Sequence, residues 1–349
     1  MSSIRNTDKF PFVSVIIPAY NAEKSIAHCL HALYEQSVPA NEIIIVDDGS
    51  SDETKSIAEK FKKVKVLSQK NQGPAIARNN GAKAAKGEII IFLDSDCVPE
   101  RNWLEEMILP FNEKKAIGVQ GAYKTKQKSL IARFDQLDIE YRYERMKRIP
   151  KLDWIGSYSA AYRKEIFLSE EGFDETFPKA SGEDAEFSYR LAEKGHLLVF
   201  APRAIVYHTH PETLWKYLNV KFFRAYWRMR MYLKHPRKMV KDSYTPQTLK
   251  LSIIYVIAAS ILALAFGIGM MATYFSTVDS FAKEVIFGFL IGIIFTLYMI
   301  GFISMPYFFL FVLRNDFMVG ILTPFIVILR AISFGLGMLN GLLDKRVRA

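Results

Sequence analysis

Cysteine is scarce in this chain: 349 residues hold two, Cys29 and Cys97, far apart and without metal-ligand spacing. That excludes a disulfide framework and a thiolate zinc site, and leaves two free thiols, the default of a reducing compartment. Cys97 follows directly on an acidic pair, so its modification is expected to inhibit without any catalytic role. Histidine is thin too, at six. His28 and His31 fall in the first predicted helix and read as structural, which leaves His208 and His210 to be weighed. Met1 to Lys9 are polar and lack a signal-peptide core, so the domain that follows is expected to stay in the cytoplasm. Charge is missing altogether from Leu251–Tyr274 and Val285–Leu313, and from Phe317–Leu343 except at Arg330. No soluble core requires apolar runs of that length. The first two read as transmembrane helices, the second longer than one span needs and interrupted by Pro306. The third, broken by Pro324, spans, re-enters or lies in the interface.

The amino-terminal two thirds have a different texture. Phe12-Val-Ser-Val-Ile-Ile17, Ile43–Val46, Val64–Leu67 and Glu88–Leu93 are short, mostly apolar runs, each read as a strand. Helical stretches lie between them, from about Ala22 to Gln36, after Asp52, and from Pro74 to Lys86. Strands alternating with helices imply an α/β fold with a parallel, nucleotide-binding type of sheet. Three strand ends carry polar clusters: Pro18-Ala-Tyr20-Asn21, Asp47-Asp48-Gly-Ser-Ser-Asp52 and Asp94-Ser-Asp96. Ligands bind at the carboxyl ends of strands in open α/β sheets. Two carboxylates one residue apart suit a hard divalent cation that keeps positions free for substrate phosphates.

These segments resemble the family 2 glycosyltransferases. The resemblance rests on residues 13–21, 46–52, 77–81 and 94–96, then Gly172-Phe173-Asp174-Glu175 and Gly182-Glu183-Asp184, with Arg190 six residues on. It covers roughly residues 11 to 235 and implies a GT-A type nucleotide-sugar domain with a mostly parallel central sheet. It further implies that Pro18 and Tyr20 flank the base, that Asp48 accepts a hydrogen bond from a base ring nitrogen, and that Arg78 lies near the base or diphosphate. Asp94 would reach the ribose or the metal, and Asp96 would bind a Mn²⁺ or Mg²⁺ cofactor directly, with His208 as a further ligand and His210 second to it. Asp184 would be the catalytic base, with the adjacent Glu183 as orienting partner. Trp154, Gly156 and Ser157 would face the acceptor. The plain alternatives are a packed Tyr20, an Asp48 that only caps a helix, an Arg78 that is a surface charge, a His208 in a surface or packing role, and an ordinary core segment at 154–160. The types suit the chemistry: a cation stabilises charge on the leaving diphosphate, and a carboxylate takes the proton from an acceptor hydroxyl.

Beyond residue 210 the composition shifts again. Residues 203 to 250 hold eleven Lys or Arg against two acids, nearly all of the net charge of +10. Trp215, Leu218, Phe222, Tyr226, Met229 and Leu233 recur at helical spacing, with Lys221, Arg224 and Arg228 predicted on another face. Such a helix suits an anionic membrane surface. Nucleic acid is the rival partner of a basic patch, and the apolar stretches that follow set it aside. The block 216–250 should be cytoplasmic, with Lys345, Arg346 and Arg348 on the same side; two spans and an interfacial third satisfy this. The expected order is a polar tail (1–10), catalytic domain (11–210), basic interfacial region (211–249), helical membrane domain (250–343) and basic tail (344–349). Leu130–Arg148 reads as an amphipathic helix between sheet halves. Three functions follow: transfer of one sugar to a lipid-linked acceptor, transfer to a polyprenyl phosphate, or an inactive nucleotide-sugar-binding subunit. A processive synthase would show Gln-x-x-Arg-Trp, and Arg224-Ala-Tyr-Trp-Arg228 lacks the Gln.

Overall fold

The computed structural model describes residues 11–177, 182–274, 280–303, 305–344 and 347. The polar tail expected at 1–10 and the basic tail residues Lys345, Arg346 and Arg348 lie outside them. The chain forms two compact units, one of residues 1–128, 142–210 and 242–244, the other of 129–141, 211–241 and 245–349.

In the first unit the elements run β1 (Val13–Ala19), α1 (Ile26–Tyr34), β2 (Glu42–Asp47), α2 (Thr54–Glu59), β3 (Val64–Ser68), α3 (Pro74–Ala84), β4 (Ile89–Leu93), β5 (Val98–Pro99), α4 (Trp103–Glu113) and β6 (Gly118–Lys124). After α5 (Leu130–Met146), whose first part belongs to the second unit, come β7 (Ser159–Arg163), α6 (Lys164–Ser169), α7 (Glu183–Glu193) and β8 (Leu198–Tyr207). The strands form one sheet in the order β3-β2-β1-β4-β7-β6-β8-β5. Four of its seven ladders are parallel, and the antiparallel ones join β4 to β7, β6 to β7 and β5 to β8. The apolar runs of β1, β2 and β4 are buried almost throughout, as strands covered on both faces must be. Edge strand β3 is half exposed and carries Lys65, which discourages pairing with another chain. The first helix is shorter than expected, and β8 carries a bulge where its register against β6 shifts between Gln120 and Ala122.

The second unit continues with α8 (Leu214–Lys234), α9 (Pro236–Val240), α10 (Gln247–Tyr274), α11 (Ser280–Ile303), α12 (Pro306–Asn315) and α13 (Phe317–Leu343). The run read as 285–313 is divided ahead of Pro306, which opens α12 at a position where a missing N–H costs nothing. Among the described residues two helices are long and apolar enough to cross a membrane, α10 over Gln247–Met270 and α13 over Phe317–Leu343; the described apolar part of α11 is shorter, Glu284–Ile300. The third stretch, leaning to an interfacial segment by charge placement, is therefore one continuous helix of spanning length. Its arginine is not exposed: Arg330 reaches Asp138 of α5 at 2.7 Å, both nearly fully buried. The helix α5 is not amphipathic as read, since Asp135, Gln136, Asp138 and Arg142 are buried along with its apolar residues. The face of α8 also differs from expectation. Lys221 is buried and pairs with Asp135 at 2.6 Å, while Trp215, Phe223 and Leu233 are exposed. Burial lowers the Lys221 ammonium to about 8 against the pull of Asp135. Helix α8 lies against α13 at Gly337 and Gly341, where a Cβ would collide with the carbonyl oxygens of Phe222 and Tyr226.

Candidate active site

The polar strand ends converge. A cleft of about 410 Å³ opens at the carboxyl ends of β1, β2 and β4, with Pro18, Tyr20, Asp48, Arg78, Asp94 and Asp96 among its walls. Tyr20 is 53% exposed, so it is not a packed core residue. Its neighbour Asn21 sits at φ 49 and accepts from the Ser51 N–H at 2.9 Å, tying the end of β1 to the turn after β2. At the start of α2 it is Asp52, not Asp48, that accepts from the Thr54 N–H, at 3.0 Å.

Asp48 holds the loop before α3. Its Oδ1 accepts from Gln69 Nε2 and from the Gln72 N–H, both at 2.8 Å, and its Oδ2 from the Gly73 N–H at 2.9 Å. A carboxylate offers about four acceptor positions, so Asp48 has one left for a ligand. Gly73, at φ 95, makes the turn that lets Pro74 start α3.

Arg78 is not a surface charge. It is 2% exposed and reaches Asp94 Oδ1 at 2.7 Å and Glu183 Oε1 at 3.0 Å. Burial opposes its charge, and the two carboxylates more than offset that, raising the guanidinium's pKa. One cation thus links the first Asp of Asp94-Ser-Asp96 to the carboxyl-terminal motif some ninety residues on. Glu183 is buried on Arg78 and accepts at its other oxygen from the Gly182 N–H at 3.1 Å. Asp184 lies the other way, towards residues 154–157: its Oδ2 accepts from the Ser157 N–H at 3.2 Å and its Oδ1 from the Ala185 N–H at 2.8 Å.

Asp96 and His208 are brought together, Nε2 to Oδ2, at 3.3 Å. Burial would raise the Asp96 carboxyl, but the hydrogen bond and charge of His208 hold it below its ordinary value. Asp94 is turned to Arg78 instead, and among the described residues no group of three or more His, Cys, Asp or Glu side chains is placed to hold a metal by itself. His210 is buried, bonded through its backbone to Gln127, and meets Tyr123 edge-on. Cys97 is wholly buried, as is Cys29, and burial pushes both thiols up; the expected inhibition by modification of Cys97 loses its premise.

Sequence patterns gave no signal for the aromatic wall beside these groups. Tyr123 stacks on His208 at 4.6 Å and on Tyr158 at 3.5 Å, and the Tyr158 and Tyr143 hydroxyls meet at 2.6 Å. Trp154 stacks on Tyr244 at 3.7 Å. Gln120, fully buried, accepts from the Gly156 N–H.

The glycosyl transferase family 2 model matches residues 14–168. Glycosyltransferase AglE of Haloferax volcanii is 30% identical over 230 residues, 63% of this chain and 73% of that protein. The chain belongs to glycosyl transferase family 2. Probable glycosyltransferase YdaM of Bacillus subtilis is also 30% identical, over 264 residues, of which this chain spans 60% of the relative's length. Among solved structures, mannosyltransferase PcManGT from Pyrobaculum calidifontis, in complex with GDP-Man and Mn²⁺, superposes with a TM-score of 0.60 at 19% identity, covering 97% of this chain and 89% of that one. The shared fold is the GT-A type: a mostly parallel sheet, followed here by helices. This family 2 chain is accordingly a glycosyltransferase.

Proposed function

We propose that this family 2 enzyme moves a single sugar, with inversion and with a divalent cation, from a nucleoside-diphosphate sugar to a lipid-linked acceptor in glycolipid or surface polysaccharide synthesis. The observation that carries this reading is the division of labour between two adjacent carboxylates. Glu183 is buried on Arg78, whereas Asp184 is held by the Ser157 N–H beside Trp154 and Gly156. Asp184 is then the base that takes the proton from the acceptor hydroxyl, and the resulting alkoxide displaces the diphosphate from the anomeric carbon in one step. Pro18, Tyr20 and Asp48 receive the nucleoside, and the remaining acceptor position of Asp48 takes a ring N–H. Arg78 orients Asp94 towards the ribose and the diphosphate.

Asp96 and His208, with Asp94 nearby, fit a Mn²⁺ or Mg²⁺ ion that draws its remaining ligands from the diphosphate and water, as hard cations at phosphate sites do. When bound, the ion neutralises charge developing on the leaving group. The pairing of half-exposed Asp96 with the partly buried imidazole of His208 supports such a site, as does the Mn²⁺ in the PcManGT complex.

The lipid-linked acceptor and a cytoplasmic catalytic unit on a multi-pass anchor are supported by α10 and α13 and by the exposed Trp215, Lys216, Phe223 and Arg224 of α8, a combination suited to an anionic membrane surface. The test is nucleoside diphosphate release from a panel of nucleotide sugars by protein in lipid-containing micelles, with Mn²⁺, Mg²⁺ or chelator, and recovery of the labelled sugar in the organic phase. Release that chelator or Asp96→Ala abolishes, with lipid-borne label, supports the proposal. Metal-independent release, full turnover by Asp184→Asn, or label confined to water would each sink the corresponding part.

A further inference from the structure

The segment between α9 and α10 belongs to the catalytic unit, although it lies beyond the residues matched by the family model. Residues 242–244 cluster with residues 142–210 and are fastened there by several contacts. The Ser243 N–H donates to Asp153 Oδ1 at 2.7 Å, and the Asp153 N–H donates back to Ser243 Oγ at 3.0 Å. Arg145 donates to the Asp242 carbonyl at 2.9 Å, and the Tyr244 N–H closes a turn on Asp242 Oδ1 at 2.9 Å. The Tyr244 ring lies on Trp154, 3.7 Å between centroids and 21° from parallel, with the Arg142 guanidinium 4.7 Å from the same ring. Asp242 and Ser243 are buried, which a passing linker would not require.

What Tyr244 touches leads on to the chemistry. Trp154 precedes Gly156, where a Cβ would lie 2.7 Å from the Tyr158 ring and 3.1 Å from Trp154 Cη2, so the backbone there is gripped between two aromatic rings. The same short stretch is pinned by Ser188 Oγ on the Ile155 N–H at 3.0 Å and by Gln120 on the Gly156 N–H. Its last N–H, that of Ser157, is the donor that holds Asp184. Trp154 is 9% exposed, and Tyr244 is what covers its face.

We propose that Tyr244, set by the Asp242-Ser243 clasp, is a positioning residue for transfer: stacked on Trp154, it fixes residues 155–157 so that the Ser157 N–H holds the Asp184 carboxylate in place. The proposal rests on Asp184 being the base. Tyr244 is not among the residues that line the donor cleft, so its removal should leave donor binding alone and slow the acceptor step. A small displacement of a catalytic group by a distant change costs up to about a hundredfold in rate.

The experiment uses the full chain in lipid-containing micelles and compares Tyr244→Leu, Tyr244→Phe, Ser243→Ala and Asp184→Asn. UDP and GDP titrations report donor-site binding, and turnover of the active nucleotide sugar with a cell lipid extract reports transfer. Tyr244→Leu is expected to lower kcat roughly ten- to hundredfold at an unchanged donor KM and an unchanged nucleoside diphosphate Kd. Tyr244→Phe, which keeps the stack, is expected to restore the rate, and Ser243→Ala to fall between. A Tyr244→Leu enzyme with wild-type kcat overturns the proposal. So does a loss of rate accompanied by equal loss of nucleotide affinity in both Tyr244→Leu and Ser243→Ala, since that pattern belongs to a general structural prop. Wild-type turnover by Asp184→Asn would instead fell the base assignment, and it is read without reference to Tyr244.

Discussion

Replacing Arg78 tests the internal wiring of the site most directly. The side chains of Arg78 and Glu183 are each 2% exposed and 3.0 Å apart, while Asp94 is 30% exposed. Arg78→Met keeps the volume of the aliphatic stem and strands the Glu183 carboxylate without its guanidinium. Removing one partner of a buried pair costs about 3–5 kcal/mol, because the other charge stays desolvated. The Asp94 contact adds little to that figure, since water screens a partly exposed carboxylate. A unit of some two hundred residues loses about 2–4 °C of Tm per kcal/mol, so the expected drop is on the order of 10 °C. Adding Glu183→Gln removes the stranded charge, and the double variant should regain more than about 1 kcal/mol, the scale of coupling between touching residues. Activity should not return with stability, because Asp94 still lacks its anchor. The assay is thermal unfolding followed by tryptophan fluorescence in micelles, with nucleoside diphosphate release measured in parallel. A Tm loss below about 3 °C for Arg78→Met, roughly 1 kcal/mol, would refute the reasoning. A double variant no more stable than the single one would refute it equally.

Other outcomes follow from the same contacts. Cys29 and Cys97 are wholly buried with thiols shifted upward, so Ellman's reagent should find neither in the native protein at pH 8 and two after denaturation; rapid labelling of the folded chain would contradict their placement. Asn79→Ala should cost about 1–3 kcal/mol, since Asn79 exchanges hydrogen bonds of 2.8 and 2.9 Å with the Phe173 carbonyl and N–H in the interior, and denaturant melts would measure it. The hydrogen bond from Arg133 holds the Asp316 carboxyl below its ordinary value of 3.8. A depressed carboxyl means that the unfolded state binds the extra proton, so this stabilisation is complete above pH 3.8 and is lost as pH falls through the native value. Arg133→Gln should therefore narrow its Tm gap from wild type on acidification, and a gap independent of pH would exclude the pair as its source.

How far the fold could be read in advance depended on the kind of signal. Strands β1, β2 and β4 were legible because a strand buried on two faces must be apolar at nearly every position, and few other structures demand that of five or six residues. The clustering of Asp48, Arg78, Asp94 and Asp96 was legible because parallel strands bring their carboxyl ends to one edge. Neighbours across long loops were not. Nothing in the spacing of Trp154 announces Tyr244 ninety residues later, and a bulge at Pro202-Arg203 looks locally like a loop. Lys221 shows the limit of periodicity: a helical pattern assigns cations to the wet face unless a buried anion elsewhere in the chain is waiting, and Asp135 was concealed in a helix read as amphipathic.

The same reasoning removes the objection to α13. An arginine in the middle of an apolar stretch argues against spanning only when it must face lipid alone, and intramembrane charges normally face the bundle interior with a partner. Arg330 is buried against Asp138 at 2.7 Å and so meets that condition whether or not α13 spans. Asp135 and Asp138 are three residues apart, hence on one side of α5, and their partners come from α8 and α13 respectively. Two carboxylates offered from one helix to cations on two others admit few sliding registers, because a one-residue slip would leave four buried charges without their partners. Apolar contacts between these helices tolerate such slips far better, since one aliphatic surface substitutes for another. The buried pairs of the second unit thus do for helix register what the strand ends do for the cleft: they place polar groups where only one arrangement of the chain satisfies them.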